Sequence, residues 1–331
     1  MKVLSDSEIK RLIKEGQLEI DPMPEEKAFQ PASIDLKLGK VYMQKSGSEP
    51  IDTMAIEDED DLLEEIVFDS ETAVNEGKFR VLETEESIRI PEGHVARVFQ
   101  RSRYGRILAE AFGFGLKGDD NPLITSGKKE KVRYALKPFV DTKLYRGERV
   151  SQLVIFDMKD ESPDTSHQKK LLETSENTME CSSCGNILLH AQDVYMPKAG
   201  IFLDPSKPAD MENDFEKFDG RFLQRGRVYL ATSRETFKFS DKMAGIVEAS
   251  PCACFCGMQN YLHACFAGFV DPGYQGGIMM QIYSNWGRID REGPLTIMTV
   301  YPVKGDVERP YGSPKLVSSH QGIFKSETKP V

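Results

Sequence analysis

The sequence predicts a mainly β protein built from two related tandem domains, with one short helix at the N-terminus. Three observations carry that expectation. Short β-rich segments recur at intervals of about ten residues with turn residues between them, the spacing of an all-β sandwich or barrel. Helical periodicity is scarce after Gly16. A stretch of the first half is also echoed in the second.

The helix comes first. Ser5 caps it, Glu8 completes a Ser-x-x-Glu capping box, Ile9, Leu12 and Ile13 form its apolar face, and Gly16 ends it. The acidic run Glu57-Asp58-Glu59-Asp60-Asp61 reads as a solvated surface loop or exposed helix. Strands are expected at Ser87–Ile90, Val95–Val98, Gln152–Ile155, Val228–Leu230 and Thr236–Phe239. Glu85–Ala96 lines up with Arg234–Gly245, each a strand, a tight turn and a second strand, as two copies of a β-hairpin would be. The copies place a first domain at 1–157, a joint at 158–197 and a second domain at 198–331.

Composition limits the function. A chain of 331 residues can bury two cores, and 39% hydrophobic with 29% charged residues is a globular balance. With no membrane-length apolar run and no apolar N-terminal segment, a cytoplasmic protein without a membrane partner is expected. The net charge of −10 argues against tracking a nucleic-acid backbone. It leaves room for a nucleotide, whose few phosphates need only local Arg or Lys and a Mg²⁺ ion. No phosphate-cradling Gly-x-x-x-x-Gly-Lys-Ser/Thr loop or dinucleotide Gly-x-Gly-x-x-Gly is present.

The most telling segment is Phe269-Val270-Asp271-Pro272-Gly273-Tyr274, which leads into the strand Ile278–Ser284. Apolar runs on both sides of Asp-Pro-Gly read as a hairpin with a carboxylate at its tip. Alone, that is an Asx-turn closing a hairpin. In a pocket, the same Asp could hold a sugar hydroxyl and a water.

Four segments in this order resemble the dCTP deaminase and dUTPase superfamily, and most closely its long duplicated dCTP deaminases. They are Gln30–Gly39, Arg101-Ser102-Arg103-Tyr104-Gly105-Arg106, the Asp271 segment, and the tail Arg309–Lys315 with His320-Gln321-Gly322. The resemblance implies two dUTPase-like domains, each a distorted, jelly-roll-like β-barrel. It also implies a homotrimer, nucleotide sites at domain seams, and deoxynucleoside triphosphates as substrates with Mg²⁺ on the phosphates. Carried over, Ser102 and Arg106 serve water and phosphate while Asp271 serves deoxyribose or water. Arg101, Arg103, Phe269, Val270, Gly273 and Tyr274 border the nucleotide. From the tail, Tyr311 stacks, Lys315 meets the triphosphate and Gln321 belongs to the closing lid.

The halves divide these tasks. The second half reads Ser250-Pro251-Cys252 where Arg101-Ser102 would fall, and the first offers no Asp-Pro-Gly. A composite site is the economical reading, and a duplicated chain in which one copy has decayed is the alternative. The family's general base, a Glu ten residues past the Asp, is Gln281 here. An amide cannot take a proton near neutral pH, and losing a base commonly costs about 10²–10⁴-fold. Three readings stay open: a dCTP deaminase with a base from Asp119, Asp120 or Glu110, a dUTPase-like pyrophosphatase, and a non-catalytic nucleotide binder. Zinc-hydroxide deamination lacks its His-x-Glu. Cys181 and Cys184, with Cys254 and Cys256, could still hold a structural zinc or be ordinary thiols.

Overall fold

The structure, a computed structural model, describes residues 1–45, 59–117, 122–159, 186–207, 209–249, 268–284, 287–289 and 292–312. The joint's 160–185, with Cys181 and Cys184, lies outside them, as do Asp119, Asp120, Cys254, Cys256, Lys315 and Gln321.

Chain order in the first half begins with β1 (Lys2–Leu4), α1 (Asp6–Lys14), β2 (Glu19–Asp21), β3 (Phe29–Gln30) and β4 (Ser33–Gln44). Next come β5 (Leu63–Glu65), β6 (Glu71–Val74), β7 (Arg80–Arg89), β8 (His94–Gln100) and α2 (Ser102–Arg106). The half closes with β9 (Ala109–Leu116), β10 (Glu130–Pro138), β11 (Asp141–Tyr145) and β12 (Arg149–Asp157). The second half opens with β13 (Ile187–Pro197), β14 (Phe202–Leu203), α3 (Met211–Asp214), β15 (Phe215–Lys217) and β16 (Phe222–Leu223). Then follow β17 (Arg227–Lys238), β18 (Met243–Ala249), β19 (Phe269–Val270), β20 (Gln275–Ser284), β21 (Gly287–Arg288) and β22 (Pro294–Lys304). The fold is mainly β, as expected, with α1 its longest described helix. No described helix is long and apolar enough to cross a membrane. Ser5 Oγ accepts the Glu8 amide at 3.3 Å, and Gly16 takes a left-handed φ of 68°.

The halves share a common set of strand pairings. Leu153 in β12 registers with Ile34 of β4 and Val98 of β8, and Met298 in β22 registers with Ile187 of β13 and Val247 of β18. A side-chain motif recurs with them. Thr84 Oγ1 donates to Glu86 O at 2.8 Å and accepts the Val132 amide at 3.0 Å. In the other copy Ser233 Oγ donates to Glu235 O at 2.6 Å and accepts the Ile278 amide at 2.8 Å. The Glu86 and Glu235 carboxylates each accept a strand amide at 2.9 Å, from Lys37 and His190. β13 thus does in the second half what β4 does in the first, although its residues fall inside the stretch read as a joint. The echoed segments are not hairpins. β7 pairs with β2, β4 and β10 whereas β8 pairs with β12, so the turn at Pro91–Gly93 carries the chain from one ladder to another.

The copies differ in what lies beside that buried Glu. Glu235 has the His190 imidazole at 2.8 Å. Glu86 is pushed up to about 7 by desolvation, with the Lys37 amide opposing. A carboxyl raised in the folded state binds its proton more tightly there than in the unfolded chain. Its contribution is therefore complete below about pH 4.5 and is lost as pH climbs toward 7. We expect Glu86→Gln to remove about 2–3 kcal/mol of the stability difference between pH 5 and pH 8. Urea denaturation of variant and parent at both pH values measures it, and parallel losses would refute it.

Three features weld the halves together. β1 runs antiparallel to β12 and parallel to β22, so one strand joins both halves. Asp157 and Lys304 pair at 2.5 Å across that junction. Val3, Ala32, Phe99, Phe156, Ile246, Phe269 and Val303 share one apolar cluster drawn from both halves.

Candidate functional site

The Asp271 bend lies against this junction. It is not the tip of a hairpin: β19 pairs with β18 and β20 with β17, so the bend is a corner between ladders. Asp271 O accepts the Tyr274 amide at 3.2 Å, closing the turn, and Ser240 O takes the Gly273 amide at 3.2 Å. Gly273 is left-handed (φ 86°), and a Cβ there would stand 3.0 Å from the Tyr311 amide nitrogen. Only glycine suits that combination. The segment after β22 crosses the bend here: Pro272 O accepts the Tyr311 amide at 2.9 Å, and the Tyr274 and Tyr311 rings lie 5.5 Å apart.

Asp271 reaches into the first half. Its carboxyl is pushed up to about 7, chiefly by burial and next by the Asp35 charge, against the pull of Arg101 and an Ala32 amide hydrogen bond. Oδ1 is buried with no hydrogen-bond partner among the described residues. A shielded, unpartnered carboxylate oxygen is costly unless a ligand or proton meets it. Asp6, just inside α1, adds to the same negative field. Asp6 Oδ1 accepts the Ser7 and Glu308 amides, each at 3.0 Å, tying the tail to the helix start.

Asp35 organises the cations on the opposite wall. It is 1% exposed, with Arg101 Nε at 3.0 Å and Arg149 Nη1 at 3.1 Å. Burial raises its pKa against the pull of Arg101, Arg149 and Arg103. Arg103 Nη1 donates to Glu148 at 2.6 Å, and the Tyr104 hydroxyl donates to the same carboxylate at 3.0 Å. Arg101, Ser102 and Arg106 lie on or beside α2, which starts at this cluster, and Arg106 is buried. Leu108 follows in the left-handed region (φ 57°), turning the chain sharply into β9, where Glu110 is 2% exposed.

The second half meets that segment again further along β20. Gln281 is 3% exposed. It shares a strand face with Met279 and Tyr283, both packed on the first half's core, while Ile278, Met280 and Ile282 face their own. Tyr283 stacks on Phe139 with ring centroids 4.8 Å apart.

Of the expected site residues, the structure therefore brings Asp271 to Arg101, and β20 with Gln281 to the half that carries Arg106. Phe269 and Val270 are buried core side chains that hold the bend in place. Sequence reasoning missed Asp6, Asp35, Arg149 and Glu148. Asp35 left no signal, because it falls in the polar phase of the alternating run Ser33-Ile34-Asp35-Leu36-Lys37-Leu38. Among the described residues no group of three or more His, Cys, Asp or Glu could hold a metal. The chemistry available is a protonatable carboxylate, fixed guanidinium groups and buried polar oxygens where the two halves of the chain meet.

Comparison with known proteins places these features in a family. A family model described as dCTP deaminase-like matches residues 3–158. The "dCTP deaminase, dUMP-forming" of Methanosphaera stadtmanae is 31% identical over 165 residues, which cover 46% of this chain and 78% of that protein. The protein of the same name from Methanothermobacter thermautotrophicus is 37% identical over 113 residues, 32% of this chain and 56% of that one. Among solved structures, the 2'-deoxycytidine 5'-triphosphate deaminase of Agrobacterium tumefaciens superposes with a TM-score of 0.75 at 19% identity. It covers 93% of this chain and 99% of its own, so the fold is shared across both halves. The chain belongs to the dCTP deaminase-like family.

Proposed function

We propose that the protein is a dCTP deaminase-like hydrolase acting on deoxypyrimidine triphosphates, at a composite site to which both halves contribute. The observation that carries this reading is Asp271, a second-half carboxylate set among Ala32, Asp35 and Arg101 of the first half with one oxygen unpartnered. In the reaction, water adds to C4 of cytosine, a carboxylate takes one proton and passes it to N3, the remaining hydroxyl proton goes to the amino group, and the C4–N bond breaks with loss of ammonia, leaving a C4 carbonyl. Asp271 orients the deoxyribose or the attacking water. Ser102 and Arg106 serve water and phosphate, with Arg101 and Arg103 bordering the nucleotide. Tyr274 and Tyr311 line the edge of the site, and Lys315 and Gln321, outside the described residues, are assigned to the triphosphate and the lid on the family resemblance.

Mg²⁺ belongs to the triphosphate in this reading, and the described carboxylates supply no separate cage for it. Trimeric assembly and a cytoplasmic setting are parts of the same proposal, as is the division into domains at 1–157 and 198–331, with β13 of the joint added to the second domain. Gln281 supports a second reading, cleavage at the α-phosphate, which needs Asp271 to orient water and needs no Glu on β20. The curated relatives named as dUMP-forming also fit an added pyrophosphate release.

Incubation with dCTP and with dUTP plus Mg²⁺ separates these outcomes. The expected result is ammonia from dCTP. Pyrophosphate from dUTP without ammonia from dCTP would favour the second reading, and nucleotide binding with neither product would refute both.

A further inference from the structure

The deaminase reading leaves a gap: Gln281 cannot act as a base, yet the seam it faces holds a buried carboxylate. We propose that Glu110 is the general base, relocated from the second half's strand to the first half's β9. This rests on the deaminase reading above.

Glu110 stands directly opposite Lys137 in the β9–β10 ladder, so the two side chains project to one face. Lys137 Nζ lies 5.0 Å from the Tyr283 ring centroid and 5.3 Å from that of Phe139. The face that holds Glu110 is therefore the one that meets β20. Gln281 projects from β20 on the same side as Tyr283, two residues along. Glu110 and Gln281 thus border one seam from opposite walls.

The backbone fixes this arrangement. Leu108 O accepts the Phe139 amide at 2.9 Å, binding the turn after α2 to the end of β10 that stacks on Tyr283. Gln100 reinforces it, its Oε1 accepting the Ala111 amide at 2.7 Å and its Nε2 donating to Ala109 O at 3.4 Å. Both neighbours of Glu110 are held, which sets the direction of its side chain. Charged residues on the bordering elements include Arg103 and Arg106 on α2 and Glu130, Lys131, Arg133 and Lys137 on β10; Lys137 is the one in register with Glu110.

The step is balanced. Water adds to C4 as Glu110 takes one of its protons. The protonated Glu110 returns that proton to N3 of the pyrimidine, the proton left on the C4 hydroxyl passes to the amino group, the C4–N bond breaks with loss of ammonia, and C4 keeps the oxygen as a carbonyl. Gln281 hydrogen-bonds the water or base without titrating.

The test uses the full chain with dCTP and Mg²⁺. Glu110→Gln is expected to lower kcat by about 10²–10⁴-fold with KM for dCTP changed less than about threefold. Moving the carboxylate back, in the double variant Glu110→Gln/Gln281→Glu, is expected to recover at least about tenfold over Glu110→Gln alone. A purely structural Glu110 would not be rescued in this way. No ammonia from the parent defeats the deaminase reading itself. A parent that deaminates while Glu110→Gln keeps kcat within threefold defeats only the assignment of the base. A Glu110→Gln chain that is unfolded by circular dichroism, or a double variant without rescue, marks the residue as a structural charge and also overturns the proposal.

Discussion

Asp35→Ala should destabilise the folded chain by about 3–5 kcal/mol, the usual loss when one member of a buried charge cluster is deleted. Asp35 is buried between the Arg101 and Arg149 guanidinium groups and also accepts from Gln30 Nε2 at 3.1 Å. Removing the carboxylate leaves two cations close together with their shared counter-charge gone. Desolvation then acts on both without compensation. Asp35→Asn keeps the shape and one acceptor, so it should fall between parent and Ala. The urea midpoint at constant m-value reports the loss. A loss under about 1 kcal/mol for Asp35→Ala would mean that water reaches the cluster and the pairs are worth no more than surface ones.

Asp271→Asn should cut ammonia release from dCTP by about 10²-fold or more while leaving the fold at least as stable at pH 8. The two halves of this expectation have one origin. The Asp271 carboxyl is raised to about 7, so its charged form is disfavoured in the folded protein and opposes folding as pH rises from about 4 through 7. Asparagine can still accept the Ala32 amide but carries no charge, so that cost disappears at pH 8. A residue kept only to close a turn would behave differently, with turnover intact and stability nearly unchanged. Thermal melts at pH 8 beside a single-turnover assay distinguish the cases, and retained turnover would remove Asp271 from the site.

Much of the fold was legible along the chain. The capping box from Ser5 to Glu8 is a local pattern, and the helix forms where it was expected. The echo of Glu85–Ala96 in Arg234–Gly245 pointed to two copies, and the hydroxyl and carboxylate of each copy make the same backbone bonds. Alternation along a strand reports which face is apolar, but not which strand lies beside it. For that reason Asp271-Pro272-Gly273 read as a hairpin, whereas its flanking strands pair with different neighbours. Turn chemistry fixes where the chain bends, and long-range pairing fixes what the bend connects.

The site divides along the same line. By itself the sequence determined the mainly β class, the repeated half, the Asp271 bend, the Arg101–Arg106 segment and the Gln281 departure, because each depends on residues near one another in the chain. Only the tertiary structure decided that Asp271 sits beside Asp35, Arg101 and Asp6 and that β20 faces the half bearing Glu110. Those neighbours are separated by more than a hundred positions, and they meet because burying β1 and the shared apolar cluster draws the two halves onto one junction.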